Sequence, residues 1–426
     1  MRICRFEDSR VAHLEPLSLS RPAFDLLCGQ TTLGDKQLRH FASESAAALI
    51  RPYLVEMYQE RHPQTRINDI DWLHQQTTLM VNARWLPPSG TAAIPMTPHV
   101  ALIDGQVAYA VVPKELLSEL EADNVDACLD AWKEALPAMT AHGTMIEYPW
   151  HLIDHNADAL HDDFAVIAAS HSTGWRPASF HLTGPADRLY IDPSARLDPL
   201  VVADTTNGPV IIDSHVVITA FTRLEGPCYI GRGTHILGAK IRGGTSIGPN
   251  CRIGGEVEAS IILGHTNKYH DGFLGHSYVG EWVNLAAGSQ TSDLRCDYGE
   301  VNIINDGRKV ATSRRKLGSF IGDHTKTGLG TLMNTGSNIG VFCNLLPTGE
   351  LLPKYVPSFC QVAHGRVVDT SPLNELFATA AMVMSRRGVA FTPAHMSMYL
   401  HLFDELATQR RLAQREAEQR RLRQSA

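Results

Sequence analysis

Aliphatic side chains recur every six residues through the second half of the chain. Ile212, Ile218, Leu224, Ile230 and Ile236 form one run, and Ile241, Ile247 and Ile253 a second. Phe273, Val279 and Leu285 resume the pattern, and Ile321, Thr327, Met333, Ile339 and Leu345 close it. An α-helix brings a side chain back to the same face after about 3.6 residues and a strand after about 2, so a lone helix does not explain a period of six. The spacing predicts a left-handed parallel β-helix, in which each hexapeptide forms one flat side of a triangular coil and one side chain per side points into the core. Each coil covers the next, so free strand edges remain only at the ends. Glycines directly after ladder residues (Gly231, Gly248, Gly254, Gly280, Gly322, Gly340) are expected at the corners, where a residue without Cβ adopts positive φ.

The preceding residues, 1–185, carry mixed patterns. Arg2–Phe6 alternates like a strand, 38–58 has helical apolar spacing, and 78–85 is an apolar strand with a polar tip. Residues 100–112 fit a hairpin around Asp104-Gly105. Strands alternating with helical stretches predict a doubly wound α/β domain, whose ligands bind beyond the carboxyl ends of the strands. That logic places Asn82 to Trp85 near a site. The β-helix is expected over 186–370. From 371 to 426 glycine thins out and helical periodicity returns, which predicts a C-terminal helical tail. Its Arg410, Arg411, Arg415, Arg420, Arg421 and Arg423 alternate with Glu416, Glu418 and Gln419, the habit of a solvated helix end rather than a nucleic-acid patch.

Bulk properties narrow the class. A chain of 426 residues exceeds one ordinary core. With 44% apolar residues and a net charge of −7 it lacks the electrostatic footprint of a nucleic-acid binder. No stretch reaches the ~18 apolar residues of a membrane span, and the N-terminus has no apolar leader segment. The eight cysteines show no CxxC spacing and suit reduced thiols, so a cytoplasmic location is expected.

Chemistry concentrates where the ladder breaks. Between Ile253 and Val279 the text includes Asn267-Lys268-Tyr269-His270-Asp271-Gly272-Phe273-Leu274-Gly275-His276, followed by Gly280-Glu281-Trp282-Val283-Asn284-Leu285-Ala286-Ala287-Gly288. This text resembles the acetyltransferase half of the bifunctional N-acetylglucosamine-1-phosphate uridylyltransferase/glucosamine-1-phosphate acetyltransferases (GlmU), and more closely a divergent bacterial branch with Asn-Lys-x-His-Asp-Gly-Phe-Leu-Gly followed by Gly-Glu-Trp. The resemblance covers about 250–345 well and the N-terminal region faintly. It implies His270 as general base, with Phe273 where the family has a sugar-stacking tyrosine. Lys268 stands beside them as a substrate-binding candidate. It further implies Asn284 as the asparagine of the Val-Asn-Ile-Gly-Ala-Gly motif, and Asp297-Tyr298 where the family has Asn-Tyr. An aspartate there replaces an amide donor with a charge.

The chemistry fits these residue types. An ammonium must lose a proton before it attacks a thioester, and imidazole titrates near working pH. Alternatively, His270 is a corner histidine bonded to a carbonyl. His265, His270 and His276 match no familiar zinc spacing, and no metal is assigned. The stretch 289–318 is too long for one coil and carries Arg308, Lys309, Arg314, Arg315 and Lys316. Phosphates of coenzyme A or of a sugar phosphate would suit Arg314, Arg315 and Lys316; a solvated loop is the other reading.

The same resemblance implies a sugar nucleotidyltransferase-like first domain, using UTP and Mg²⁺ if active. Its usual features are altered. Glu7-Asp8-Ser9-Arg10 follows the first strand without a glycine cluster, and Ala23 stands where a Pro-Lys lysine is expected. Arg21 is the substitute phosphate cation. Asn82 replaces an aspartate, and a neutral amide is a poor Mg²⁺ ligand. Tyr148-Pro149-Trp150 matches the divergent branch. Together these features lead to the expectation of a homotrimeric acetyl-CoA-dependent transferase acting on a glucosamine-1-phosphate-like acceptor, with uridylyl transfer as a possible partner activity. A nucleotidyltransferase whose β-helix only assembles or regulates it, and a non-catalytic trimeric scaffold, are the alternatives.

Overall fold

The computed structural model describes residues 2–94, 96–305, 307–347, 349 and 351–425; the side chains of 420–425 fall outside the description. The first domain is built on a six-stranded sheet of β1 (Arg2–Phe6), β2 (Ala47–Leu49), β3 (Thr78–Asn82), β4 (His99–Ile103), β5 (Gln106–Val112) and β6 (Ala138–Thr140). The strand order is β2-β1-β3-β5-β4-β6. β1 pairs in parallel with β2 and β3, and β5 runs antiparallel to both β3 and β4, so the sheet is mixed rather than uniformly doubly wound. The β4–β5 hairpin turns at Asp104 and Gly105, whose φ values of 48° and 76° are those a type I′ turn requires. The helix expected over 38–58 is instead α1 (Leu33–His40), strand β2 and a separate helix, Val55–Arg61. Ala47, Ala48 and Leu49 are all buried beside β1, and so short an apolar run has no periodicity to tell strand from helix.

The β-helix begins earlier than 186, because His181–Thr183 already pairs with Val202–Asp204. One side is a continuous nine-stranded parallel sheet whose inward residues stack as Ile191, Ile212, Ile230, Ile247, Ile262, Val279, Ile321, Ile339 and Val356. These side chains are almost wholly buried, at roughly 25 cal/mol per Å² of apolar surface. A second column runs Leu197, Ile218, Ile236, Ile253, then Lys268, then Leu285, Thr327, Leu345 and Val362. In the third, Leu274 follows Val257. Phe273, expected inside, points out because the coil at the break is not a multiple of six.

The corners also differ from expectation. The glycines after ladder residues pack where neighbouring coils nearly touch: a Cβ on Gly340 would lie 2.3 Å from the Ser358 nitrogen. Positive φ falls further on, at Asn250, His265, Trp282, His324, Phe342 and Phe359. The rings of the last five form a stack up one corner, with centroid separations of 4.1, 6.3, 4.5 and 5.6 Å from His265 to Phe359.

Three contacts weld the parts together. Helix α2 (Pro149–Ser170) lies on the β-helix, where buried Asn156 accepts from Gly29 N and Ser246 Oγ and donates to the Gly244 carbonyl. The long excursion contains a hairpin, Val301–Asn305 against Arg308–Arg314, whose Asn305 donates to the His13 carbonyl. Helices α3 (Leu373–Ser385), α4 (Pro393–Glu405) and α5 (Ala407–Ser425) close the far side. Arg410, expected on a solvated face, is buried with its guanidinium 3.9 Å from the Phe403 ring centroid. All eight cysteines are free thiols, and no described helix is long and apolar enough to cross a membrane.

Candidate functional site

The break in the ladder folds into a corner held from inside. Lys268 occupies the core position between Ile253 and Leu285, where its ammonium donates to the carbonyls of Gly254 and Gly272 at 2.7 Å and of His270 at 3.3 Å. Burial lowers its pKa to about 8. With three N–H bonds met by three carbonyls, Lys268 has no donor left for a substrate. It is a strut for the corner, contrary to the binding role expected of it. Gly272 (φ 144°) is required there, since a Cβ would lie 2.2 Å from the Ser289 carbonyl oxygen.

The strut presents His270 to solvent, its ring 5.0 Å from that of Tyr269. Among the described residues its imidazole makes no hydrogen bond. Phe273 projects outward, and its ring and the Asp293 carboxylate share the space that a side chain at Gly275 would fill, at 2.4 and 2.6 Å from the ideal Cβ. Asp293 Oδ2 lies 2.7 Å from His276 Nδ1, with both side chains mostly covered. Burial acts to raise the Asp293 pKa, but the His276 bond and charge, together with Lys316, outweigh it and hold the carboxyl below its usual range. Backbone bonds pin His276 at φ 45°: its N–H donates to Glu258 O and its carbonyl accepts from Gly318 N.

Asp293 was not singled out from sequence. It stands two residues past the inward Thr291, as His276 stands two past Leu274, so the two occupy stacked corner positions. A threonine in the ladder hides that register from any aliphatic pattern. Asp297 and Tyr298, the residues expected there, sit on an exposed bend. Asp297 is held by Arg295 and by Gly299 N, Tyr298 is 68% exposed, and neither makes a hydrogen bond or ring contact with His270, Phe273 or Asn284 among the described residues. Asn284 lies on the adjoining face, between Asn267 and Lys326.

The cations expected to bind phosphate are mostly neutralised. Arg314 is paired with Asp154 at 2.8 Å and Lys316 approaches Glu258 at 3.5 Å; Arg315 is exposed. Arg21 is the clearest correction. It is buried against Asp323 (2.6 Å) and Glu281 (3.1 Å) of the β-helix, so it clamps two domains instead of facing a nucleotide. The three histidines do not converge on a metal either: His265 stacks on Trp282, His276 binds Asp293 and His270 faces solvent.

At the carboxyl ends of β1 and β2 lies a cavity of about 260 Å³, lined among others by Glu7, Asp8, Arg51, Tyr53 and Asp126. Arg84 grips Asp8 through two bonds (2.8 and 2.6 Å), and Asn82 donates to the same carboxylate. Glu7 is taken up by Arg51 and Ala23 N. Carboxylates so fully engaged do not fit a Mg²⁺ ion in this arrangement, which needs open oxygens, and Arg51 is not free for a phosphate.

Residues 3–172 match the family of sugar nucleotidyl transferases. A bifunctional sugar-1-phosphate nucleotidylyltransferase/acetyltransferase from Sulfurisphaera tokodaii is 36% identical over 92 residues, 22% of this chain and 23% of that protein. The bifunctional protein GlmU of Jannaschia sp. is 34% identical over 164 residues, 35% of this chain and 32% of its own length. GlmU of Azorhizobium caulinodans is 33% identical over 141 residues, 32% of this chain and 29% of its own. The matches thus span about a quarter to a third of the length of these curated relatives. Among solved structures, the polySia-specific acetyltransferase NeuO aligns with a TM-score of 0.32 at 13% identity, over 50% of this chain and 91% of that one. Residues that match the sugar nucleotidyl transferases are therefore joined here to a β-helix, in a chain similar over part of its length to the bifunctional GlmU proteins.

Proposed function

We propose that the β-helix transfers the acetyl group of acetyl-CoA to the amine of an amino-sugar phosphate, of which glucosamine 1-phosphate is the model acceptor, and that the chain works as a homotrimer. The observation carrying this is the outward cluster of Phe273 and the His276–Asp293 pair beside the strutted corner. The substrate ammonium first gives one proton to solvent; the freed amine attacks the thioester carbonyl, the base takes the second proton from the attacking nitrogen, and it passes that proton to the thiolate as the C–S bond breaks, leaving the amide and CoA-SH.

The resemblance implies His270 as the base. The geometry favours His276, because Nδ1–H donation to Asp293 fixes the tautomer that leaves Nε2 as acceptor, and general bases are commonly oriented this way. Phe273 supplies a face for the sugar ring. Acetyl transfer by Asp293→Asn, His276→Gln and His270→Ala separates the two. Loss of general-base catalysis costs about 10²–10⁴-fold in kcat, and we expect it in His276→Gln with KM little changed, with a smaller loss and a shifted pH profile in Asp293→Asn. Full activity in His276→Gln alongside collapse in His270→Ala would return the role to His270.

The family match over 3–172 favours a second reading for the first domain, uridylyl transfer to the acetylated sugar phosphate with UTP and Mg²⁺. That chemistry requires the Glu7–Arg51 and Asp8–Arg84 pairs to open on substrate binding.

A further inference from the structure

Three cations without an ion pair among the described residues lie together on a different face. Ascending the β-helix, the residues preceding the second core column are His235, Arg252, Asn267, Asn284 and Lys326, stacked one coil apart. Arg387, in the turn between α3 and α4, reaches over this column and donates to Asn267 Oδ1 at 2.9 Å. Arg252 donates to the Gly233 and Cys251 carbonyls through one nitrogen, and Lys326 gives one bond to the His324 carbonyl. Each keeps further N–H groups unspent. Among the described residues none of the three cations forms an ion pair, although the chain as a whole carries a net charge of −7. Partial burial and the nearness of Arg387 both lower the pKa of Arg252, and the same two arginines, after burial, lower that of His235.

We infer that this face is an anion site, in which Arg252, Arg387 and Lys326, with the amides of Asn267 and Asn284, bind the phosphate or diphosphate group of a ligand. Guanidinium forks match phosphate oxygens in a bidentate manner, and lysine adds a point charge. Arg387 docks on the Oδ1 of Asn267, which leaves that amide's Nδ2 as a donor for the ligand. The inference does not depend on acetyl transfer, since only anion binding is required.

The test is calorimetric titration of the full chain with inorganic pyrophosphate, coenzyme A and glucosamine 1-phosphate at low salt. Saturable binding of at least one is expected, weakened ~10-fold or more in Arg387→Gln and in Lys326→Gln, as loss of a charge-assisted bond implies. Lys240→Gln, an exposed cation on another face, should bind as wild type. Coenzyme A binding tighter than pyrophosphate identifies the donor as the source of the phosphates; glucosamine 1-phosphate competing with pyrophosphate identifies the acceptor. Wild-type affinity in both Arg387→Gln and Lys326→Gln, or no binding of any of the three probes, overturns the site. Arg387 lies on a surface turn, so an unchanged melting temperature in its variant separates lost binding from lost fold.

Discussion

At the scale of single residues, burial rather than type decides what a charged side chain does. Lys268 and Arg21 both read as ligand contacts from their neighbours in sequence, and both are spent inside the protein. Asp25 shows the opposite case, a carboxyl with little to hold its charge. It sits in the short helix after Pro22, and burial raises its pKa to about 7, although Arg5, Arg21 and Arg61 pull it down. An unfolded aspartate titrates near pH 4. Between those values the folded protein binds more protons than the unfolded chain, so this group's contribution is intact below about pH 4 and is lost as pH rises through about 7. Asp25→Asn should therefore stabilise the protein at pH 8, on the order of 2 kcal/mol, and leave it nearly unchanged at pH 4.5. Thermal melts at the two pH values check this, and an equal gain at both would contradict it.

At the scale of elements, the six-residue ladder was enough to read the β-helix, and the turn chemistry of Asp104-Gly105 was enough to read the β4–β5 hairpin. What stayed hidden has a common cause, which is that hydropathy is blind to polar residues in apolar positions. Lys268 and Thr291 sit in core columns, so the register across the break was lost, Phe273 was placed inside in place of Leu274, and Asp293 went unnoticed two residues beyond Thr291. His270 and Phe273 could be named as candidates because they stand in a motif, whereas the His276–Asp293 bond joins residues one coil apart. The corners were misread for a related reason. Glycine marks the close approach of coils, while the left-handed positions further on hold bulky rings. Phe342 shows how these are kept. At φ 54°, its ring lies between His324 and Phe359 and meets Phe377 and Tyr399 edge-on, tying the β-helix to α3 and α4. Phe342→Ala should cost about 3–5 kcal/mol. Phe342→Gly should cost roughly 1 kcal/mol less than alanine, because glycine relieves the left-handed strain. Chemical denaturation of the two variants gives the order, and a more stable alanine variant would show that backbone strain is not at issue.

At the scale of the molecule, charged groups are buried where the N-terminal region meets the β-helix. Asp323 accepts from Arg21 at 2.6 and 3.2 Å, from Ser20 Oγ at 2.6 Å and from Glu281 N at 2.8 Å, and Arg21 also reaches Glu281. Burial raises the Asp323 pKa, but Arg21 and Ser20 more than offset it and hold the carboxyl below its usual value. Removing one partner of such a pair strands the other, which costs about 3–5 kcal/mol, whereas replacing both with apolar or neutral groups is far better tolerated. Arg21→Met should accordingly lower the urea midpoint sharply, and Arg21→Met/Asp323→Asn should recover part of the loss. Arg314→Gln, which breaks a half-exposed pair with Asp154, should cost no more than about 1 kcal/mol. The same series decides what Arg21 is for. A phosphate-binding arginine would leave stability intact and abolish pyrophosphate release from UTP. A clamp lowers stability first, and any transfer activity returns with the double variant even though the guanidinium is still absent.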